Sequence, residues 1–258
     1  MKLFKVKGIV IKEIQYKDND KIITLLTDEF GKISCLAKGA KKNNSPLLAA
    51  CQLFVYSEFV LYKGTSFYHI NSAETIDTFY NLRSSLDKID MACEVTTILN
   101  RFIYEEQEST EILSLYLNTL FVIAKKNLDY SFVISVFKLK LLKVSGFLPS
   151  FAICGNCKKK LIGEEIKQNK YVYSKSLNHV ICDECKSKED TIMILNEAVF
   201  YAVNFVATES MKRIFMFELK DEAQKEFKTF VDNIFLEVQY WQPCYNTYGK
   251  KYKIKTVV

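Results

Sequence analysis

Histidine is scarce in this chain, and the scarcity narrows the chemistry that the protein could perform. Only two of the 258 residues are histidines, His69 and His179, so an acid–base pair built on imidazole has little material. The G-x-S-x-G pattern of a nucleophile elbow and the G-x-x-x-x-G-K-[ST] pattern of a phosphate loop are both absent. The sequence therefore favours a binding protein over an enzyme, with an enzyme of unrecognised catalytic residues as the rival interpretation.

Long apolar runs are also missing. No stretch of about 18 consecutive apolar residues occurs, so the sequence predicts no membrane span. The segment Met1–Lys7 mixes apolar residues with lysines and lacks the apolar centre of a signal peptide. We therefore expect a cytosolic protein in a reducing compartment, where scattered cysteines stay as buried thiols.

Four of the eight cysteines nevertheless form a pattern of their own. They make two C-x-x-C pairs separated by 24 residues: Cys154, Cys157, Cys182 and Cys185. This spacing lets four thiolates reach one tetrahedral ion, and a closed Cys₄ shell leaves no position for an activated water. Residues 170–174 and 178–181 are typical of a hairpin that would bring the second pair back to the first. The pattern predicts one structural Zn²⁺; disulfides, an iron–sulfur cluster or an empty site are the alternatives.

The first 80 residues have the patterns of β-strands. Apolar and β-branched residues alternate loosely or run together between turns, with Gly8 expected at a bend or bulge. The predicted strands cover residues 6–14, 21–27, 32–37, 53–62 and 67–75. Five strands without helical periodicity suit a small barrel, for which the oligonucleotide-binding fold (OB-fold) is the first expectation. An SH3-like barrel is the alternative.

The periodicity becomes helical from about residue 81. Helices are predicted at residues 82–106, 110–126, 130–145, 196–208 and 221–241. We therefore expect an α+β multidomain protein: an OB-fold β-barrel followed by an α-helical domain with an inserted Cys₄ zinc module. The expected ranges are 1–80 for the barrel, 81–150 and 189–249 for the helical domain, 151–188 for the zinc module and 250–258 for a basic tail.

A basic loop follows the third predicted strand. Residues 37–45 contain Lys38, Lys41 and Lys42 together with a glycine. Loops between barrel strands are where this fold holds single-stranded nucleic acid, so the three lysines are candidate phosphate contacts. The nearby aromatic residues Tyr16, Phe30 and Tyr68 could stack on bases. The alternatives are a solvated basic loop and aromatic residues that belong to the barrel itself; turn chemistry accounts for the nearby Asp18 and Asp20.

Charge is segregated along the chain. Residues 138–188 carry 11 Lys or Arg against 4 Asp or Glu, a net charge of +7, whereas residues 81–137 carry 5 against 8, a net charge of −3. Such segregation is expected of a protein that presents separate faces to a polyanion and to other partners. Uneven but solvated surface charge is the alternative.

The order of these parts resembles the RecO family of bacterial recombination and repair proteins. The resemblance rests on four N-terminal segments and on one helix that leads into the first cysteine pair: residues 8–11, 16–27, 30–33, 37–42 and 137–149. It implies an OB-fold, a helical domain and an embedded Cys₄ zinc element. By position, Lys38, Lys41 and Lys42 fall where the family's basic loop contacts DNA.

The resemblance also implies a function. Such proteins are non-enzymatic mediators in the bacterial cytoplasm, associated with the nucleoid. They bind single- and double-stranded DNA, anneal complementary strands coated by single-strand-binding protein (SSB), and act with RecR to help RecA load. A zinc-ribbon, OB-fold protein that binds RNA or the ribosome is the alternative, because a basic loop on this fold does not by itself select DNA.

The same resemblance places the acidic C-terminal tail of SSB on the helical domain. Lys138, Lys140 and Lys143 lie on an otherwise apolar predicted helix, as a pocket for an acidic and apolar tail would require. The same basic region could instead extend the DNA path. Lysines that extend from a helix edge to water are the structural alternative.

Overall fold

The computed structural model describes residues 2–103, 107–162, 170–186 and 192–249. Contacts divide the chain into two compact units, residues 1–128 and 129–258. The predicted basic tail, 250–258, lies outside the described residues, as do parts of the predicted zinc module. Among the described residues, no helix has the length and apolar character needed to cross a membrane.

A closed barrel of five strands forms the core of the first unit. The strands are β1 (Leu3–Tyr16), β2 (Asp20–Thr27), β3 (Lys32–Ala37), β4 (Tyr56–Lys63) and β5 (Tyr68–Asp77). Their order around the barrel is β1-β2-β3-β5-β4. The β3–β5 pair is parallel, and β1 pairs antiparallel with both β2 and β4. This arrangement confirms the predicted OB-fold over the SH3-like alternative.

The long first strand has to bend in order to pair with both neighbours. Its register with β2 shifts between Val10 and Lys12, which places a bulge at Ile11. Of the bend or bulge expected at Gly8, the bulge lies instead at Ile11. Gly8 is instead a point of close approach, because a Cβ there would lie 3.1 Å from the carbonyl oxygen of Leu26.

Helices complete the first unit. They are α1 (Leu47–Ala50), α2 (Leu86–Leu99) and α3 (Thr110–Lys125), with a 3₁₀ turn at Tyr80–Ser84. The helix predicted at 82–106 is shorter in the structure. The Ser85 hydroxyl accepts the Lys88 N–H and caps the N-terminus of α2, so the helix begins after Ser85. By contacts, α2 and α3 belong to the same unit as the barrel, whereas the sequence-based ranges place a boundary at residue 80.

The second unit combines helices with a small sheet. The helices are α4 (Tyr130–Val144), α5 (Glu197–Thr208) and α6 (Asp221–Gly249); the strands are β6 (Lys170–Ser174), β7 (His179–Ile181) and β8 (Ile192–Asn196), in the order β7-β6-β8. The β6–β7 pair confirms the predicted hairpin. Sequence reasoning missed β8, which ends at the residue that caps α5: the Asn196 side chain accepts the Val199 N–H.

Aromatic rings attach the sheet to the helices. Tyr171 of β6 stacks on Phe200 of α5, and Tyr173 contacts Phe230 of α6 edge-on with ring centroids 5.3 Å apart. All four side chains are fully buried. The hairpin that carries the second cysteine pair therefore rests on a rigid aromatic core.

A buried lysine holds the end of α5. Lys140 of α4 is 5% exposed, and its ammonium donates to the carbonyl oxygens of Val206 at 3.1 Å and Glu209 at 2.7 Å. A cation at a helix C-terminus satisfies carbonyl groups that have no partner within the helix. Lys140 is therefore a structural residue that joins α4 to α5.

We expect Lys140→Met to lower the free energy of unfolding by about 1–3 kcal/mol, because the carbonyl groups at the end of α5 lose a charged donor while most of the apolar stem is kept. Lys143→Met, on the exposed side of the same helix, should change it by less than about 0.5 kcal/mol. Urea unfolding measures both variants. Equal stability of the two would contradict the capping role.

Candidate nucleic-acid interface and metal centre

Two hydrogen bonds donated by backbone N–H groups fix the basic loop to the turn between β1 and β2. The Gly39 N–H donates to Asp20 Oδ1 at 2.8 Å, and the Lys41 N–H donates to the Asn19 carbonyl oxygen at 3.0 Å. A third bond, from the Lys42 N–H to the Gly39 carbonyl oxygen at 3.1 Å, closes the loop on itself. The loop is thus held at two points by a segment about 20 residues earlier in the sequence.

The backbone conformation at the centre of this loop favours glycine. Gly39 has φ +67°, in the left-handed region that other residues adopt at a cost. Around it, Lys38 and Lys42 are exposed and Lys41 is half-buried. Three ammonium groups are therefore presented by a short segment whose backbone is held in one conformation.

Tyr16 lies at the end of β1, beside the same turn. Its side chain is 37% exposed, and the Lys17 ammonium lies 5.4 Å from its ring centroid. Phe30 and Tyr68, by contrast, pack around Phe4 against the barrel core, with ring centroids 5.2 and 5.8 Å from that of Phe4. Of these three aromatic residues, Tyr16 is the one that lies at the end of the β1–β2 hairpin, beside the basic loop.

Asp20 and Lys17 were not among the predicted site residues. Turn chemistry seemed to explain Asp20, but its carboxylate instead accepts the Gly39 N–H of the basic loop. No local pattern shows a contact between residues 19 positions apart. For Lys17, adjacency to Tyr16 was the available signal.

The four paired cysteines converge in the second unit. Their sulfur atoms all lie within 4.8 Å of one another, and Cys157 Sγ is 3.7 Å from Cys182 Sγ. Zinc–sulfur bonds of about 2.3 Å in a tetrahedron place sulfur atoms about 3.8 Å apart. The group therefore fits a tetrahedral metal ion with only small adjustments.

Backbone N–H groups favour the thiolate at one position of this cluster, Cys154. Burial opposes ionisation of Cys154, but N–H donors from Cys182, Cys157 and Asn156 outweigh it and lower the pKa of the Cys154 thiol to about 6. The Cys182 N–H lies 3.4 Å from Cys154 Sγ. A thiolate is the form that binds metal, so this position favours metal binding at neutral pH.

The first cysteine pair is fastened to the hairpin. The Gly155 N–H donates to the Val180 carbonyl oxygen at 2.8 Å, and a Cβ at position 155 would lie 2.5 Å from that of His179. Only glycine allows this approach without a shift of the hairpin. The turns that contain the two cysteine pairs are the knuckles of the cluster. His179 packs against the first knuckle rather than projecting into water.

The three lysines proposed for the SSB tail do not form one surface. Lys138 pairs with Asp232 at 2.7 Å and is 17% exposed, and Lys140 is buried against the end of α5. Only Lys143 is exposed. The geometry separates the three predicted residues into a paired cation, a helix cap and a solvent-exposed cation.

The fold and the site define a class of protein: an OB-barrel with a basic loop, joined to a helical unit that contains a Cys₄ group able to hold a metal ion. Comparison with known proteins agrees with this class. The family model described as "Recombination protein O N terminal" matches residues 1–79, and "Recombination protein O C terminal" matches residues 83–239. The chain belongs to the RecO family of DNA repair proteins.

Curated relatives support this membership over most of the chain. "DNA repair protein RecO" of Acetivibrio thermocellus is 33% identical over 226 residues, which cover 88% of each chain. The protein of the same name from Caldicellulosiruptor saccharolyticus is 32% identical over 231 residues, 90% of this chain and 91% of the relative. That of Clostridium kluyveri is 33% identical over 228 residues, 87% and 84% of the two chains.

The Cys₄ geometry predicts one tightly bound metal ion per chain. Cys154→Ser should lower the metal content several-fold, because it removes the buried thiolate that the backbone donors stabilise. Cys93→Ser should retain the full content, because Cys93 lies outside the cluster on α2, where it is exposed rather than buried, contrary to the expectation for the scattered cysteines. Elemental analysis of the purified proteins gives the metal's identity and stoichiometry. A full metal content in Cys154→Ser would show that the cluster does not bind the ion.

Proposed function

We propose that this protein is a non-enzymatic recombination mediator of the bacterial cytoplasm, working at the nucleoid. It binds single- and double-stranded DNA, anneals complementary strands coated by SSB, and with RecR assists the loading of RecA. One observation carries the proposal: an OB-barrel of a DNA repair family has its lysine loop fixed by Asp20 and Asn19.

The arrangement suits the physical problem of annealing. Two polyanions repel each other until their phosphates are neutralised, and lysines that do so release condensed counterions. Lys38, Lys41 and Lys42 are held on a constrained backbone, so little loop entropy is lost when DNA binds. No covalent bond is made or broken in this process, and no catalytic group is required.

The metal in this proposal is one structural Zn²⁺ held by Cys154, Cys157, Cys182 and Cys185. Four thiolates fill its coordination shell, and its binding energy contributes to the folding of the local module. The protein's own contribution is the pair of knuckles and the hairpin that joins them, with the Lys159–Glu184 ion pair at 3.2 Å between the two knuckles.

For the acidic SSB tail, the proposal rests on Lys143 and on Lys138 at the edge of α4. Lys138 would have to exchange Asp232 for a carboxylate of the tail, whereas Lys140 would act by fixing α5. The Lys138–Asp232 pair is partly shielded from water, so this exchange costs more than that of a surface ion pair, and the exposed Lys143 is the more accessible contact.

Annealing of complementary strands coated with SSB, without ATP, tests the mediator function. The chain should accelerate annealing, and Lys41→Glu/Lys42→Glu should reduce the acceleration several-fold and weaken its dependence on salt. The matched control, Lys125→Glu/Lys126→Glu, changes the same charge at two adjacent exposed lysines at the end of α3 and should anneal normally.

Two outcomes would contradict the proposal. Failure of the folded, metal-loaded chain to accelerate annealing would remove the mediator function. Preferential binding of single-stranded RNA over DNA of matched sequence would favour the RNA-binding alternative.

Asp20 allows the position of the loop to be separated from its charge. Asp20→Asn keeps an oxygen acceptor for the Gly39 N–H and removes a negative charge beside the lysines, so it should bind single-stranded DNA at least as tightly as the parent. Asp20→Ala makes the same charge change but loses the acceptor. It should bind single-stranded DNA about fivefold more weakly than Asp20→Asn. Fluorescence anisotropy with an oligothymidine measures both. Equal affinities of the two variants would show that the Asp20–Gly39 hydrogen bond does not position the loop.

A further inference from the structure

The cysteine cluster has a buried side and an exposed side. Cys154 and Cys182, the first members of the two C-x-x-C pairs, are 0% and 1% exposed. Cys157, the second member of the first pair, is exposed, and its counterpart Cys185 is partly exposed. Burial makes a structural cysteine inert toward reagents, and one edge of this cluster is without that protection.

The exposed side of the cluster is also basic. Three exposed lysines follow Cys157 directly in the sequence: Lys158, Lys159 and Lys160. The Lys158 ammonium donates to the Gly155 carbonyl oxygen at 2.8 Å, so its charge stays at the first knuckle. An accessible sulfur in an electropositive environment is the setting in which cysteines react with oxidants. Cys157 therefore has the surroundings of a reactive cysteine.

The two knuckles lie close enough for their sulfur atoms to bond. Cys157 Sγ is 3.7 Å from Cys182 Sγ, and the four sulfur atoms all lie within 4.8 Å of one another. A disulfide bond is about 2 Å long, so a bond between the knuckles requires the two sulfur atoms to approach by about 2–3 Å. The Lys159–Glu184 ion pair, at 3.2 Å, already links the two knuckles. A disulfide between them therefore needs no opening of the β6–β7 hairpin.

We propose that this cluster is a redox switch: a peroxide oxidises Cys157, which then forms a disulfide with a cysteine of the second knuckle, and the metal ion is released. The inference goes beyond the mediator function and rests on the metal site proposed above. Under reducing conditions four thiolates hold the metal ion. Under oxidising conditions the disulfide replaces the metal as the link between the knuckles, and a thiol reductant restores the first state.

The oxidation has two steps, which together transfer two electrons. In the first, the Cys157 thiolate attacks one oxygen of hydrogen peroxide and the O–O bond breaks; the departing hydroxide takes a proton to become water, and Cys157 becomes a sulfenic acid. In the second, a thiolate of the second knuckle attacks that sulfur, the S–S bond forms and the S–O bond breaks, and a second hydroxide leaves as water after taking a proton. The metal ion thereby loses two of its four ligands.

Peptide mass spectrometry detects this disulfide directly. Trypsin cleaves after lysine and arginine, so the first cysteine pair falls in the peptide 144–158 and the second pair in the peptide 176–186. A disulfide between the knuckles joins the two peptides, whereas a disulfide within one knuckle leaves them separate. Treatment of the metal-loaded chain with hydrogen peroxide should give joined peptides and release about one metal ion per chain, which a chromogenic chelator measures. Dithiothreitol should separate the peptides again.

Two variants distinguish the exposed cluster cysteine from exposed cysteines in general. Cys157→Ser keeps both buried sulfur atoms and should form joined peptides about tenfold more slowly than the parent. Cys93→Ser removes an exposed cysteine outside the cluster and should match the parent in both measurements. A brief pulse of N-ethylmaleimide on the unaltered, metal-loaded chain tests the same point if Cys157→Ser is unstable. It should alkylate Cys157 about tenfold faster than Cys154 in the same peptide.

Each outcome decides the inference. Joined peptides together with metal release support the switch. Retention of the metal under peroxide, release without joined peptides, or alkylation of Cys154 before Cys157 overturns the switch and leaves the metal site intact. Absence of metal from the untreated chain, measured first, overturns both the switch and the metal site. None of these measurements involves DNA, so the mediator function is decided separately by the annealing experiment.

Discussion

The attachment of the basic loop to the β1–β2 turn is the constraint on which the proposed DNA site depends. Two hydrogen bonds, from Gly39 to Asp20 and from Lys41 to Asn19, hold the backbone that carries the three lysines in one position. The barrel makes the contact possible, because β2 pairs directly with β3 and brings the turn before one strand against the loop after the other. The side-chain oxygen of Asp20 thus fixes the backbone of the lysine loop.

The second unit uses a different principle of stabilisation. Its small sheet, of which the structure describes three short strands, packs on α5 and α6 through Tyr171 and Tyr173. The Cys₄ cluster links the segment before the sheet to the end of the hairpin. The cysteine cluster, the aromatic core and the buried Lys140 cap each join elements that are distant in sequence. Because a Cys₄ shell is saturated, the cluster supports folding and leaves the proposed chemistry to noncovalent contacts.

Local patterns were sufficient for much of this architecture. Strand alternation and C-x-x-C spacing predicted the five-stranded barrel, the β6–β7 hairpin and the convergence of the four cysteines, since each depends on short-range periodicity or ligand geometry. Tertiary contacts were not predictable in this way. The lysines at 138, 140 and 143 look equivalent in sequence, yet the carbonyl groups that bury Lys140 lie 66 to 69 residues away.

Chemical-shift mapping by NMR during titration with a short oligothymidine tests the central claim most directly. The account predicts that the largest changes in the first unit occur at the backbone amides of residues 16–20 and 38–42, and that they diminish as salt rises. Changes that leave both segments unaffected while the oligonucleotide binds would contradict it, because the DNA would then be held elsewhere on the protein.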